Sequence, residues 1–480
     1  MKLRKELNSS KVLREKVLIE GIKENIVFEF NVDNGHVNIF IKDPAGTLRV
    51  QYVNGRAPEK VLLSKKKSFT SVGTYPGELP SGEWEFIFIN FEPVQGKREG
   101  KVICIVKIEK DAEVFEGEIL RLDDGWTDHE SSADRLKLKY NYQNILSNKR
   151  RWYKGDFHTH TQLSDGHMSP TIAMDMAQNI QDMDFFVITD HNMLNTGFKS
   201  GEVLVIPGVE VTSPMGHFNI LGAKDERVLP IEREMDLDYV EEIMDRAKEQ
   251  EALCSINHSM MDPWHWQFED LNLEKIDTLE ICCDPTFSSS PSSTEKALNV
   301  IDILWNEGYK IYGVGGSDCH LLPTERYKGS NKPSLYGDPG TYVLSENLSA
   351  NEVLKAVKMG RIYVSRDVKL FPEIIGEKIY YPGEEVFERN LKYQISVREI
   401  VEEIEILLII DGKTTEKRIL IKDGEVNFNL CLEGNYSWVR AEIRNVKGDF
   451  LGYINPVYFG KKEKEVFNWK QVLEKMEERQ

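Results

Sequence analysis

The stretch Gly155-Asp-Phe-His-Thr-His-Thr-Gln-Leu-Ser-Asp-Gly166 sets two histidines one residue apart and an aspartate five residues after the second. It follows Trp152-Tyr153 and precedes a helical pattern, so it reads as a strand end running into a loop. Residues two apart on a strand point the same way, so His158 and His160 aim both imidazoles at one point. Two neutral imidazoles converging in this way suit Zn2+, Mn2+ or Fe2+. Asp165, in a Ser-Asp-Gly turn, can add an oxygen nearby. Alone, a His-x-His pair fits a buried structural pair as well as a metal site, so the rest of the chain has to decide.

Eight of the ten histidines fall between His158 and His320; only His36 and His129 lie outside. In that region the sequence alternates strand-like and helix-like segments. Asp184 to His191, Val203 to Val211, Leu253 to His258, Thr278 to Cys283 and Lys310 to His320 read as strands, with His217 to Gly222 as a further candidate. Pro170 to Met183 has helical spacing, with Ser169 as N-cap and Pro170 at the first position. Leu237 to Gln250, Thr294 to Asn306 (stopped by Gly308) and Leu348 to Met359 (stopped by Gly360) are the other helices. Such alternation implies parallel strands with helices outside, in a barrel or an open sheet. In those folds functional groups sit at the carboxyl ends of strands. His158, His160, His191, Glu210, His258, Asp318 and His320 each fall at such an end, which histidines satisfied singly in a core would not all do. A metal site at the mouth of the unit is therefore the expectation.

The flanks have another rhythm. Asn25 to Val32, His36 to Ile41 and Glu83 to Asn90 alternate, separated by Asp33-Asn34-Gly35, Asp43-Pro44-Ala-Gly46 and Leu79-Pro80-Ser-Gly82, as in an antiparallel sandwich. Such a unit could bind carbohydrate or another ligand, or serve packing or dimerisation. No cluster of binding residues marks it. After about Ser365 alternation returns in Lys392 to Val397, Glu403 to Ile410 and Tyr436 to Ile443, with Asp411-Gly412 and Asp423-Gly424 as hairpin signals. The expected organisation is an N-terminal β-sandwich over 1–118, a connector over 119–151, an α/β metal-site unit over 152–365, a C-terminal β-sandwich over 366–462 and an amphipathic helix over 463–480. In the tail, Val466, Phe467, Trp469, Val472 and Leu473 would pack on a neighbour. Its glutamates argue against a membrane-surface helix.

Composition narrows the function classes. A formal net charge of −18 argues against a nonspecific duplex-DNA binder, which needs a basic face. No apolar run reaches the roughly 18 residues of a membrane span. The charged N-terminus, Met-Lys-Leu-Arg-Lys-Glu-Leu-Asn, lacks the apolar segment of a signal peptide. Six cysteines without a Cys-x-x-Cys fit a reduced compartment. A cytoplasmic protein with no membrane partner is expected, and the sandwiches offer surfaces for homo-oligomer formation.

Taken together, His158-x-His160 with Asp165, Asp190-His191, Pro207-Gly208-Val-Glu210, Asn257-His258 and Asp318-x-His320 resemble the polymerase-and-histidinol-phosphatase (PHP) superfamily of metal-dependent hydrolases. The resemblance covers about Trp152 to Ser365. Leu79-Pro-Ser-Gly-Glu-Trp84, Gly360-Arg-Ile-Tyr-Val364 and Tyr453-Ile-Asn-Pro-Val-Tyr458 look like its CehA/McbA branch, named for a carbaryl hydrolase. The resemblance implies a distorted (β/α)7 barrel with two or three divalent ions (Zn2+, Mn2+ or Fe2+). On that analogy a first ion takes His158, His160, Glu210 and Asp318. A second shares Glu210 and takes His258 and His217. A third takes Asp165, His191 and His320. His217 is either a ligand or a substrate contact, since Asn219 lies nearer the position where the family carries a histidine before a Leu-Gly pair. Asp190 is expected to orient a ligand rather than bind metal.

The chemistry agrees. Two ions a few ångströms apart can share a water and lower its pKa, giving a hydroxide nucleophile, and Glu210 has two oxygens with which to bridge them. The residual positive charge favours an anionic substrate. The leading expectation is a phosphoesterase acting on a small anionic ester, with Glu210, Asp318 and His320 as the catalytic residues. The alternatives are hydrolysis of a carboxylic ester, carbamate or amide, and a non-catalytic metal- or glycan-binding protein. His167 and His265 read as rim or packing histidines. Cys319 reads as a small hydrophobe in the wall, and Cys282 and Cys283 as core. Arg326, Lys328 and Lys332 either hold an anionic leaving group or lie in a solvated loop. Trp264 and Trp266 are candidates for a substrate wall.

Overall fold

The Arg151–Thr159 strand is buried from Gly155 onward, so both of its faces need cover and both of its edges a partner. In the computed structural model it lies in the middle of a fourteen-stranded sheet. The structure describes the chain apart from residues 8–11, 34, 92–101, 114–119, 122–126, 128, 132–134, 199–200 and 480.

On one side, Arg151–Thr159 pairs in parallel with Phe185–Ile188, which pairs in parallel with Leu204–Ser213. Gly216–Leu221 follows antiparallel, then Leu253–Ile256 antiparallel to it, then Thr278–Cys283 and Tyr312–Gly316 in parallel. Beyond that last strand the chain comes back to the first. Asp318 N donates to His158 O at 2.9 Å, and Thr159 bridges Cys319 in parallel. The carboxyl ends of the first and last strands of the run therefore meet.

Two expectations need correction. The run is not wholly parallel. Only Pro214 and Met215 separate Leu204–Ser213 from Gly216–Leu221, and a parallel return needs a crossover of a dozen residues or so. Nor do helices alternate strictly with strands. The main helices are Leu237–Glu249, Ser290–Asn306 and Ala350–Lys358. Pro170–Asp175 is a short α-helix that widens into a π-helical turn over Met176–Ile180, while the Ser169 hydroxyl accepts from Ile172 N at 3.3 Å as an N-cap.

On its other side Arg151–Thr159 pairs antiparallel with Gly340–Ser345, and the sheet continues through Ile362–Ser365 into Phe450–Gly460, Tyr436–Asn445, Ile404–Ile410 and Lys413–Leu420. A separate four-stranded sheet, built on Lys369–Ile375, Asn390–Arg398 and Gly424–Cys431, shares an apolar core with it through Leu370, Ile395, Phe428 and Ile406. Asp411 and Gly412 both have positive φ, as a two-residue hairpin requires. Asp423-Gly424 is not a hairpin: Lys413–Leu420 and Gly424–Cys431 belong to different sheets, and the chain crosses between them. The N-terminal part consists of two four-stranded antiparallel sheets around Phe28, Phe30, Ile39, Trp84 and Phe88; fully burying one such aromatic is worth roughly 2–3 kcal/mol.

The tail forms Trp469–Glu478, capped reciprocally by Asn468 and Gln471. Val466, Trp469 and Val472 enter the main core, whereas Phe467 is exposed. Among the described residues no helix is long and apolar enough to cross a membrane.

Candidate metal centre

The strands deliver their polar residues to one place. His158 is the penultimate residue of Arg151–Thr159, and His160 follows just beyond it. After Tyr312–Gly316 the backbone turns sharply, with Asp318 at φ +46°. His258, at φ +28°, follows Leu253–Ile256, and Asp284, at φ +30°, follows Thr278–Cys283. Left-handed backbone at non-glycine residues costs of order 1–3 kcal/mol each, and here it clusters where side chains must turn into the mouth. Gly316 answers a different constraint. A Cβ there would lie 2.2 Å from Glu280 Oε1 and 2.4 Å from the His158 Cβ, so only glycine lets those two side chains meet.

Glu210 is the hub. It is not at a strand end, because its strand runs on to Ser213 and into the hairpin. Its carboxylate is fully buried and five imidazoles surround it. Oε1 lies 3.3 Å from His158 Nε2, 3.0 Å from His217 Nδ1 and 3.5 Å from His258 Nε2; Oε2 lies 3.3 Å from His160 Nε2 and 2.7 Å from His191 Nδ1. Asp318 Oδ1 is 3.3 Å from His158 Nε2 and 3.1 Å from His160 Nε2. On the other side of His160, Asp165 Oδ1 is 3.2 Å from His320 Nε2 and 3.5 Å from His191 Nε2. All nine residues singled out in the sequence as metal ligands are thus gathered at one site. His191 reaches both carboxylates, Glu210 and Asp165, and so links two sets that the sequence reading kept apart.

The donor set fits a cation. His158 Nε2, both ring nitrogens of His160, Asp165 Oδ1, Glu210 Oε2 and His258 Nδ1 are buried and make no hydrogen bond of acceptable geometry, despite their short separations. Buried polar atoms are normally paired. Buried ring nitrogens and carboxylate oxygens gathered in one place without mutual hydrogen bonds are what a divalent ion satisfies. The ligand atoms of His158, His160 and Asp318 lie within 4.8 Å of one another, and the same holds for His160, Asp165, His191 and His320 and for His191, Glu210 and His217.

The electrostatics of the site's own side chains point the same way. Burial opposes charge on His158 and His191, but Asp318 and Glu210 beside the first, and Glu210 and Asp165 beside the second, hold both well above the usual imidazole value. His320 is held at about 9, against burial, chiefly by Asp165. His160 goes the other way: burial, then His320 and His191, push it down to about 3. Glu210 stays ionised in spite of burial because His191 and His158 face it.

Supporting residues surround these ligands, and two of them, Glu280 and Asp156, were not singled out in the sequence. Glu280, 3% exposed, sets Oε1 3.1 Å from His158 Nδ1 and accepts from His258 N at 2.7 Å. It orients two candidate ligands at once. Asp156 accepts from His158 N and Ser317 N, and burial raises it to about 6. Asn257 Nδ2 donates to Glu210 Oε1 at 2.9 Å. Asn219 lies opposite Glu210 in the hairpin, but its amide bonds to Phe157 O and Asn257, which leaves His217 as the residue near the carboxylate. Asp190 accepts from Thr161 N, Ser164 Oγ and Asn195 Nδ2, and so ties down the loops bearing Asp165 and His191.

Other expectations divide. Cys319 is in the wall beside Tyr336 and Met176, and burial lifts its thiol to about 12. Cys282 packs in the main core, and Cys283 is buried as well but turns its Sγ toward the site, 3.5 Å from Asp318 Oδ2. His167 pairs with Glu325 and His265 with Asp262, away from Glu210. Trp264 is 38% exposed at the rim, 6.4 Å from the His258 ring, whereas Trp266 is buried against Phe218 and Phe268 and lines no wall. Arg326, Lys328 and Lys332 are exposed. From Tyr453-Ile-Asn-Pro-Val-Tyr458, Tyr453 OH and Asn455 both bond the Gly313 backbone and so fix the strand that leads to Asp318.

Above Glu210 opens a cavity of about 250 Å3, walled by Trp264, Phe287, Tyr327, Met261 and Asp284. Burial raises Asp284 to about 6, partly offset by a hydrogen bond from Tyr327.

No family model matches the chain, and no curated protein matches it. Among solved structures, a two-domain protein from Bacteroides vulgatus, described as containing a predicted PHP-like metal-dependent phosphoesterase, aligns at TM-score 0.37 and 17% identity over 66% of this chain and 99% of its own. A DUF3823 family protein from Bacteroides ovatus aligns at TM-score 0.15 and 10% identity over 20% and 57%. At these scores neither likeness bears on fold or chemistry.

Proposed function

We propose that the protein is a metal-dependent hydrolase of PHP type, and that its leading reaction is hydrolysis of a small anionic phosphoester. The observation that carries the proposal is Glu210: a fully buried carboxylate with five imidazoles around it, open to a cavity on one side. Asp190, an equally buried carboxylate that ties loops together, is met by backbone, hydroxyl and amide donors, whereas the groups around Glu210 are imidazoles, which are cation ligands. The seven strands from Arg151–Thr159 to Tyr312–Gly316, whose ends meet, are read as a distorted barrel, and the two-sheet units at either end of the chain as sandwiches. The CehA/McbA-like assignment rests on the short flanking motifs.

Two or three divalent ions would be held by the sets His158, His160, Glu210 and Asp318; Glu210, His217 and His258; and Asp165, His191 and His320. Ions held there supply Lewis acidity and an activated water. The chain's own residues do the rest. Glu210 and Asp318 offset part of the positive charge. Glu280 keeps the proton of His158 on Nδ1. His320, paired with Asp165 and Asp318 at the rim, can hold or pass a proton. Trp264, Phe287 and Tyr327 exclude bulk water from one wall of the cavity.

Hydrolysis of a carboxylic ester or carbamate is the second reading, favoured by this wall of aromatic rings. The test is turnover of 4-nitrophenyl phosphate, bis(4-nitrophenyl) phosphate and 4-nitrophenyl acetate by Mn2+-, Zn2+- or Fe2+-loaded protein, before and after chelation. Phosphate turnover that chelation abolishes is expected. No chelator-sensitive turnover of any of the three would overturn the proposal.

A further inference from the structure

The N-terminal sheets reach into the site. Arg56 N donates to Ser164 O at 2.9 Å, and a Cβ on Gly55 would lie 2.4 Å from that same oxygen and 3.0 Å from the Asp165 Cα, so the turn sits against the backbone that carries Asp165. Gln51 exchanges two hydrogen bonds with the Leu194 backbone, on the loop after His191. A groove of about 140 Å3 is lined on the N-terminal side by His36, Val37, Asn38, Val53, Asn54 and Phe91. It shares Asp165, His191, His217 and Trp264 with the cavity above Glu210.

We infer that this groove seats the non-reacting part of the substrate, and that this part is apolar, carries one hydrogen-bond acceptor and bears no second anionic group. The inference rests on the ester-hydrolase reading of the site. Continuity is the first argument: a molecule whose reacting group lies over Glu210 can leave the site into the groove past His217 and Trp264. The second is Asn38. It is 2% exposed, it lines the groove, and its Nδ2 has no partner among the described residues. An amide nitrogen has two protons to donate, and a buried donor without an acceptor is costly, so a ligand oxygen placed there removes a standing penalty. The third is charge. Among the described residues no lysine or arginine lines either the groove or the cavity, and His36 is the one ionisable side chain on the N-terminal side of the groove, so a second phosphate or carboxylate would find no fixed cation there. The N-terminal unit thereby acts as the specificity wall of the site.

The probe is N-phenylacetamide, an uncharged aryl amide with one carbonyl acceptor. Its binding to the full chain is read by calorimetry and saturation-transfer NMR, metal-loaded and after chelation. Binding is expected in both states and should weaken about five- to tenfold in Asn38→Leu, the scale of one lost hydrogen bond. Phe91→Leu, a milder change in the groove wall, should weaken it as well and serves if Asn38→Leu does not fold. In the loaded enzyme, kcat/KM for 4-(2-oxopropyl)phenyl phosphate should exceed that for 4-(carboxymethyl)phenyl phosphate, whose leaving phenol is of nearly equal acidity, by about tenfold or more. Failure of the amide to bind, or binding to both variants as tight as to wild type, overturns the groove assignment. Equal turnover of the two phosphates overturns the exclusion of a second anion. If no ester is turned over while the amide binds as described, the hydrolase reading falls and the groove stands as a ligand site.

Discussion

Glu280→Gln is the sharpest probe of how the site is held. Oε2 of Glu280 accepts from His258 N at 2.7 Å, and Oε1 faces His158 Nδ1 at 3.1 Å. The carboxylate accepts on both oxygens. It therefore keeps a proton on His158 Nδ1 and leaves Nε2, which faces Glu210 and Asp318, free to bind a cation. A glutamine of the same shape cannot do both. With its oxygen toward His258 N, its NH2 meets His158 Nδ1, which must then accept, so the imidazole proton moves to Nε2 and blocks the ligand. With the amide turned round, two N–H groups confront each other at His258. Either arrangement leaves a buried donor or a misplaced tautomer worth about 1–3 kcal/mol. At about 1.4 kcal/mol per factor of ten that is roughly a 5- to 150-fold loss, in line with the tenfold to hundredfold typical when a ligand's carboxylate partner is removed. The assay is competitive metal titration against a chromogenic chelator, with a thermal melt to confirm folding. Wild-type affinity for every ion in folded Glu280→Gln would refute the orienting role.

Gly316→Ala should have a similar effect by another route, since its methyl would lie 2.2 Å from Glu280 Oε1; lower metal affinity with a lower melting temperature is expected, and unchanged affinity would show that the two side chains yield. Asp165→Ala or His320→Ala should each release one ion and leave those bound near His158 and Glu210, as metal analysis of dialysed protein would show. His191→Ala should cost more, because His191 reaches both carboxylates. Metal binding should also expel protons. The carboxylates hold His158, His191 and His320 protonated at neutral pH, His320 up to about 9, so the cation competes with protons on raised-pKa groups and affinity should climb as pH rises toward 9. Calorimetry in buffers of different ionisation enthalpy counts the protons, and a buffer-independent heat at pH 7 would contradict this.

The first-line residues were legible because side chains two apart on a strand share a direction and because parallel strands end together. Strand geometry alone brings His158, His160 and Asp318 together. It misleads where a local irregularity resets the alternation. Glu280 and Cys282 should share a face by period two, with Cys283 on the other. The pairing of Thr278–Cys283 with Tyr312–Gly316 slips between Glu280 and Cys282, so Cys283 joins Glu280 at the site and Cys282 turns into the core. Glu280 left a signal, a lone carboxylate in an otherwise apolar strand, whereas the slip left none. The antiparallel return at His217 was readable from the two residues separating its strands, but the sequence reading placed those strand ends too far apart. The role of the N-terminal sheets at the Asp165 loop was invisible, because it depends on the close approach of Gly55 and Ser164, over a hundred residues apart in the chain.

The most direct test of the account is the metal content of the purified chain and of Glu210→Gln. Protein produced with Mn2+, Zn2+ and Fe2+ supplied, then freed of loosely held ions by gel filtration, is measured by mass spectrometry of its metals. The wild type should carry two or three ions per chain. Glu210→Gln, with one charge fewer and an NH2 in place of a carboxylate oxygen, should lose at least one of them and about a hundredfold or more in turnover. Less than one ion per chain in the wild type, or two ions and full turnover in folded Glu210→Gln, would contradict the claim that this carboxylate is the centre of a metal site.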